Sequence, residues 1–105
     1  MKGYQLSFFT QQDRKHGHQP LGEWLLEEAR RLGIGGATLL TAAEGFGHAR
    51  KIHSARFFEL SDQPIEVTMA VSVDEAERLF ARLRDEGVKV FYVKTAIEYG
   101  TTGER

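Results

Sequence analysis

The stretch that decides the fold is Ile65-Glu66-Val67-Thr68-Met69-Ala70-Val71, followed at once by Ser72-Val73-Asp74-Glu75. Ile65, Val67, Met69 and Val71 alternate with Glu66, Thr68 and Ala70, the period of a strand that buries one face. Ser72 and Glu75 form a capping box, in which each side chain satisfies an exposed backbone donor of the other residue. The alternation therefore gives way to a helix with no intervening loop. Ala76, Leu79, Phe80 and Leu83 form its buried stripe, and Gly87 ends it. A final strand is expected over Val88 to Thr95, with Ala96 to Arg105 as a partly ordered tail.

Working back from Ile65, Ser61-Asp62-Gln63-Pro64 is a turn signal, and Arg56 to Leu60 reads as a short strand extension. Ala37 to Ala43 is apolar, short and preceded by Gly35-Gly36, which suits a buried strand. Leu21, Trp24, Leu25, Ala29 and Leu32 recur at helical spacing behind Pro20, which fits a first helical turn. Glu23, Glu27 and Glu28 precede Arg30 and Arg31, the order the helix dipole favours, and Gly33 is the stop. Tyr4 to Phe9 alternates as a strand, and Thr10 to Gln19 is polar and reads as a loop. The order βαββαβ predicts a single α+β domain over residues 1–105. Its expected form is a ferredoxin-like sandwich, a four-stranded antiparallel sheet with two helices on one face.

Composition narrows the function. The 105 residues carry 14 Lys and Arg against 15 Asp and Glu, a formal net charge of -1. This charge gives no general attraction to nucleic acid or anionic lipid. No apolar run is long enough to cross a bilayer, no signal-like core opens the chain, and there is no cysteine. A cytoplasmic protein is expected. Two helices cover one sheet face only, yet Val88, Val90 and Tyr92 alternate with Lys89, Phe91 and Val93, so the last strand is apolar on both sides. Association of several copies through the second face is expected.

Candidate chemistry centres on Glu44-Gly45-Phe46-Gly47 and the cations that follow, His48, Arg50, Lys51 and His53. Glycines let backbone N–H groups approach a ligand closely, and nearby cations neutralise an anion. A lone G-x-G is weak evidence, and on composition alone a turn with a solvated basic loop is the favoured reading. His16, His18, His48 and His53 could ligate a transition metal, but their spacing matches no familiar zinc pattern. No nucleophile elbow, Walker loop or H-E-x-x-H occurs. The helix carboxylates, Glu28 among them, are expected at solvated surfaces, and Trp24, Phe80 and Phe91 in the core. No enzyme is expected.

The chain resembles the PII signal-transduction superfamily, and more closely a family of uncharacterised bacterial PII-like proteins. The resemblance rests on Asp13-Arg14-Lys15-His16-Gly17 leading into Pro20-Leu21, Gly36-Ala37-Thr38, Glu44-Gly45-Phe46-Gly47 and Ile52-His53-Ser54-Ala55-Arg56. It spans roughly Leu6 to Val93. It implies a homotrimer that binds a small anion, such as an adenine nucleotide, at clefts between subunits. It also implies a long loop that engages a protein target, such as a membrane transporter. Carried over, Thr38, Gly45, Phe46 and Gly47 would line the cleft, and His48 and Arg50 would begin the loop. The glycine-rich phosphate loop of PII proteins has no counterpart in Arg84-Asp85-Glu86-Gly87-Val88-Lys89. Arg14 or Lys15 would then have to supply cationic contacts. The alternative reading is a metal-binding trimer resembling CutA.

Overall fold

The computed structural model describes residues 1–42, 44–46, 52–54 and 63–103. The elements are β1 (Lys2–Gln11), β2 (Lys15–His16), β3 (Gln19–Pro20), α1 (Leu21–Arg31), β4 (Ala37–Thr41), β5 (Glu44–Phe46), β6 (Ile52–Ser54), β7 (Pro64–Ser72), α2 (Val73–Asp85) and β8 (Phe91–Glu98). The main sheet has the order β4-β7-β1-β8, and every pairing in it is antiparallel. This is the α+β ferredoxin-like arrangement expected from the sequence. The expected extension over Arg56 to Leu60 lies outside the described residues.

Side-chain alternation fixes which face is buried. Leu6 and Phe8 on β1 and Val67 and Val71 on β7 have no exposed surface, and Ile65 and Met69 are buried beside them. In register, Leu6 faces Met69 and Phe8 faces Val67. Onto this layer the helices bring Leu21, Trp24, Leu25 and Ala29 from α1 and Ala76, Leu79 and Leu83 from α2. Full burial of side chains this size is worth about 1.5–3 kcal/mol each. α1 packs on β4 and β7, and α2 on β7 and β1. The inner face of β8 is therefore left at the margin of the helical layer.

The capping box is present in full. Ser72 Oγ accepts from Glu75 N at 3.1 Å, and Glu75 Oε1 accepts from Ser72 N at 2.8 Å. Both helices end in the same way. Gly33 and Gly87 take φ of 81° and 67°, values that favour glycine. Ile34 N donates to Ala29 O, and Val88 N donates to Leu83 O. These are Schellman closures, which place an apolar residue just past the helix against its last turns. Val88 is thus spent on ending α2. The last strand begins at Phe91, three residues later than its apolar pattern suggested, and runs on to Glu98. The segment read as tail completes it. Beyond the strand, Met1 N donates to Tyr99 O at 2.9 Å and Tyr99 N donates to Met1 O at 2.8 Å.

Two further expectations are corrected. Glu28 is not solvated. It is only 2% exposed, between Arg31 and Arg82. Phe91 is not core. It is 67% exposed because β8 pairs Phe91 with Phe9, on the face opposite the helices. There the two rings lie 5.9 Å apart. With Val93 and Leu40 they make the uncovered face apolar towards both edges. Its centre is polar: Gln5 and Ser7 both donate to Thr68 Oγ1 at 3.4 Å.

Candidate functional site

Topology gathers the connections of interest at one end of the sheet. Because the strands are antiparallel, the exits of β4 and β1 lie beside the entries of β7 and β8. Thr41 faces Ile65, Gln11 faces Pro64, and Phe9 faces Phe91. From this end rise the ribbon of β5 and β6, the β2–β3 hairpin and the turn from α2 into β8. Backbone bonds tie them down. Ala42 N donates to Pro64 O at 2.9 Å, and Gln12 N donates to Gln63 O at 2.9 Å. Leu21 N, which has no partner within α1, donates to Arg14 O at 2.8 Å. Pro20 is the N-cap residue of α1 and makes no side-chain cap, so the hairpin takes over that role.

The candidate residues distribute over these pieces. Thr38 lies on β4 opposite Thr68, exposed on the uncovered face. Gly45 and Phe46 belong to β5, opposite His53 and Ile52. The expected Gly-Phe-Gly turn therefore begins as one arm of a two-stranded ribbon. Gly47, His48, Arg50 and Lys51 lie outside the described residues. Arg14 and Lys15 open the hairpin, where the sequence showed only a loop. Lys15 is exposed and pairs with Pro20. The Arg14 guanidinium donates to the carbonyl of Lys89, fastening the hairpin to the α2–β8 turn.

A second tie runs beside the first. His16 Nε2 lies 2.9 Å from Glu86 Oε1, and its ring centre is 4.5 Å from that of Trp24. Glu86 also accepts from Arg82 at 3.0 Å, and Arg82 donates to Glu28 at 2.9 Å. Arg31 donates to Glu28 as well. The result is an ionic chain from the hairpin through α2 to α1. The hydrogen bond with His16, with the Arg82 charge behind it, holds the Glu86 carboxyl below its ordinary range. Burial alone would raise the Glu28 carboxyl, but hydrogen bonds from Arg31 and Arg82 outweigh it and leave it lowered. Glu28 follows Trp24 by four residues and Leu25 by three, so helical spacing does put it on the buried stripe. The His16–Glu86 pair spans 70 residues of sequence and left no comparable signal.

Among the described residues no group of three or more His, Asp or Glu is placed to hold a metal ion. No described helix is long and apolar enough to cross a membrane.

Residues 3–97 match the model of the DUF190 family, "Uncharacterized ACR, COG1993". The chain belongs to the DUF190 family. The chain is 33% identical over 75 residues to a UPF0166 protein of Aquifex aeolicus (strain VF5), covering 70% of this chain and 69% of that one. Solved structures of similar fold include a putative PII-like signaling protein from Thermus thermophilus. Its TM-score is 0.63 and its identity 22%, over 92% of this chain and 86% of that one. Another is CPII, a nitrogen regulatory PII-like protein from Thiomonas intermedia K12, bound to ADP, AMP and bicarbonate. Its TM-score is 0.69 and its identity 17%, over 96% of this chain and 91% of that one. At these identities the likeness establishes the fold, which is the PII-like one.

Proposed function

We propose that this DUF190 chain is a PII-like regulatory protein, not an enzyme, and that it binds a small anion between copies of itself. An adenine nucleotide is the first ligand to test. The observation that carries the reading is the convergence at one end of the sheet. The Gly45-bearing ribbon, the hairpin with Arg14 and Lys15, and the turn carrying Lys89 all rise there, and Arg14 already bonds that turn. A ligand that replaced the Lys89 carbonyl as partner of Arg14 would loosen the hairpin from the turn, leaving the His16–Glu86 bond as the remaining tie. That displacement is a ready means of converting occupancy into shape. The nucleotides on CPII support the choice of adenine nucleotides. The basic stretch after Gly47 would present the bound state to a protein target.

The uncovered sheet face supports assembly. Phe9, Leu40, Phe91 and Val93 are between 40% and 67% exposed, and burying such area is worth about 25 cal/mol per Å². A homotrimer closed on these faces is the assembly we infer.

Isothermal titration with AMP, ADP and ATP, alongside light scattering for mass, tests the reading. Saturable heat with an intact oligomer is expected, and Gly47→Ala should weaken binding while leaving mass unchanged. Absence of heat with all three nucleotides on an intact oligomer would remove it.

A further inference from the structure

The helical face holds a second feature that the reading above does not use. α2 packs chiefly on β7 and β1 and reaches β8 through the Phe80–Tyr92 ring contact. Beside this contact lies a shallow, solvent-open groove of about 490 Å³. Its lining is more polar than apolar and sets three aromatic rings, Tyr4, Phe80 and Tyr92, among charged side chains. Phe80 and Tyr92 have ring centres 4.8 Å apart, and Tyr4 lies on the same inner face of the sheet. Two cations enter it. Lys94 Nζ sits 4.2 Å from the centre of the Tyr4 ring and 5.9 Å from that of Phe80, and Arg84 lines the wall. Neither makes an ion pair among the described residues. One carboxylate, Glu77, also lines the groove.

We infer that this groove is a binding site for a small aromatic monoanion, with Tyr4, Phe80 and Tyr92 taking the ring and Arg84 and Lys94 the carboxylate. Charge selects the class. Two cations against one carboxylate leave a local excess of one positive charge, which a single carboxylate neutralises. Glu77 repels the further negative charges of a nucleoside di- or triphosphate. Geometry agrees. The face of an aromatic ring is electron-rich, so Lys94 is held over Tyr4 without a carboxylate and keeps its donors for an incoming anion. Arg84 offers the planar fork that fits a carboxylate. The groove borders β8, while the Gly45 ribbon follows β4. These strands are the opposite edges of the sheet, about 14 Å apart at ordinary strand spacing. The groove is therefore separable from the ribbon, while Arg84 leads into the turn that Arg14 bonds, so the comparison with AMP is read at Tyr92 and Lys94.

Benzoate is the probe. Titrated into the isotopically labelled full chain, it should shift the backbone amides of Phe80, Arg84, Tyr92 and Lys94 saturably. Arg84→Gln and Lys94→Gln should each weaken its binding about fivefold, the scale of a partly exposed ion pair. Glu77→Gln should not weaken it. Shifts that fail to saturate, or that are the same in both cation variants, would overturn the site. AMP, titrated in parallel, separates the two proposals. AMP shifts that spare Tyr92 and Lys94 leave the groove assignment standing. AMP that moves the Tyr92 and Lys94 amides and loses this in Lys94→Gln overturns its selectivity for monoanions. Silence from AMP everywhere bears on the nucleotide reading alone.

Discussion

Replacing Glu28 by Gln keeps the shape of a buried side chain and removes its charge. The side chain of Glu28 is 3% exposed, whereas those of its partners Arg31 and Arg82 are 65% and 34% exposed. Deleting one member of a fully buried pair costs about 3–5 kcal/mol, because a charge is stranded without water. Here both arginines reach solvent, so little charge is stranded. What is lost is one charge-assisted bond from half-buried Arg82 and a screened one from Arg31. Bonds to charged groups contribute about 1.5–3 kcal/mol each, and exposed pairs less than about 1 kcal/mol. A net loss of about 2 kcal/mol follows. For a domain of about 100 residues this lowers the melting temperature by about 8–16 °C and the urea midpoint by about 1 M. Both should be measured at one protein concentration, since assembly adds to apparent stability. Arg31→Ala should lower the melting temperature much less than Glu28→Gln, since Arg31 is largely exposed. A Glu28→Gln variant as stable as wild type would refute the reasoning and return Glu28 to the solvated surface.

Other expectations follow from the same structure. In wild type, Glu28 and Glu86 are both held below the ordinary carboxylate range. Their contribution is therefore full above about pH 4.5 and is lost as pH falls through the depressed folded values; Glu28→Gln should flatten the acid limb of stability against pH, and an unchanged limb would contradict the assignment. Gly3→Ala should cost at least about 3 kcal/mol or prevent folding, since an added Cβ would stand 2.0 Å from the Val71 carbonyl oxygen; normal expression with an unchanged melting curve would contradict the register of β1. Ser72→Ala removes half of the capping box and should cost about 1 kcal/mol in urea unfolding. Phe91→Glu, on the uncovered face, should lower the mass seen by light scattering while preserving the circular dichroism of the folded domain; an unaltered mass would show that the face is not an interface.

The elements were legible where one side-chain pattern had one cause. β7 alternates because one face packs on helices, and Ser72 with Glu75 marks the start of α2 to the residue. Legibility failed where apolar residues served two purposes. Val88 closes α2 and Phe91 faces away from the helices, so the run from Val88 to Val93 looked like one strand when its first three residues precede it. The placement of β8 comes from pairing with β1, a relation between segments about 80 residues apart that no local pattern records. The candidate site divides in the same way. Gly45 and the Arg14–Lys15 segment were visible as residue types. Their convergence is a consequence of strand order, and the bond from Arg14 to Lys89 could be seen only once the sheet was assembled.

The reciprocal bonds between Met1 and Tyr99 have a practical consequence. They pin both of these residues to the pole of the sheet opposite the hairpin and ribbon. A dye or surface anchor attached beside Tyr99, at Gly100, would sit a full strand length from the region proposed to move. Such a handle would let the molecule be immobilised for single-molecule recording without hindering the rearrangement under observation.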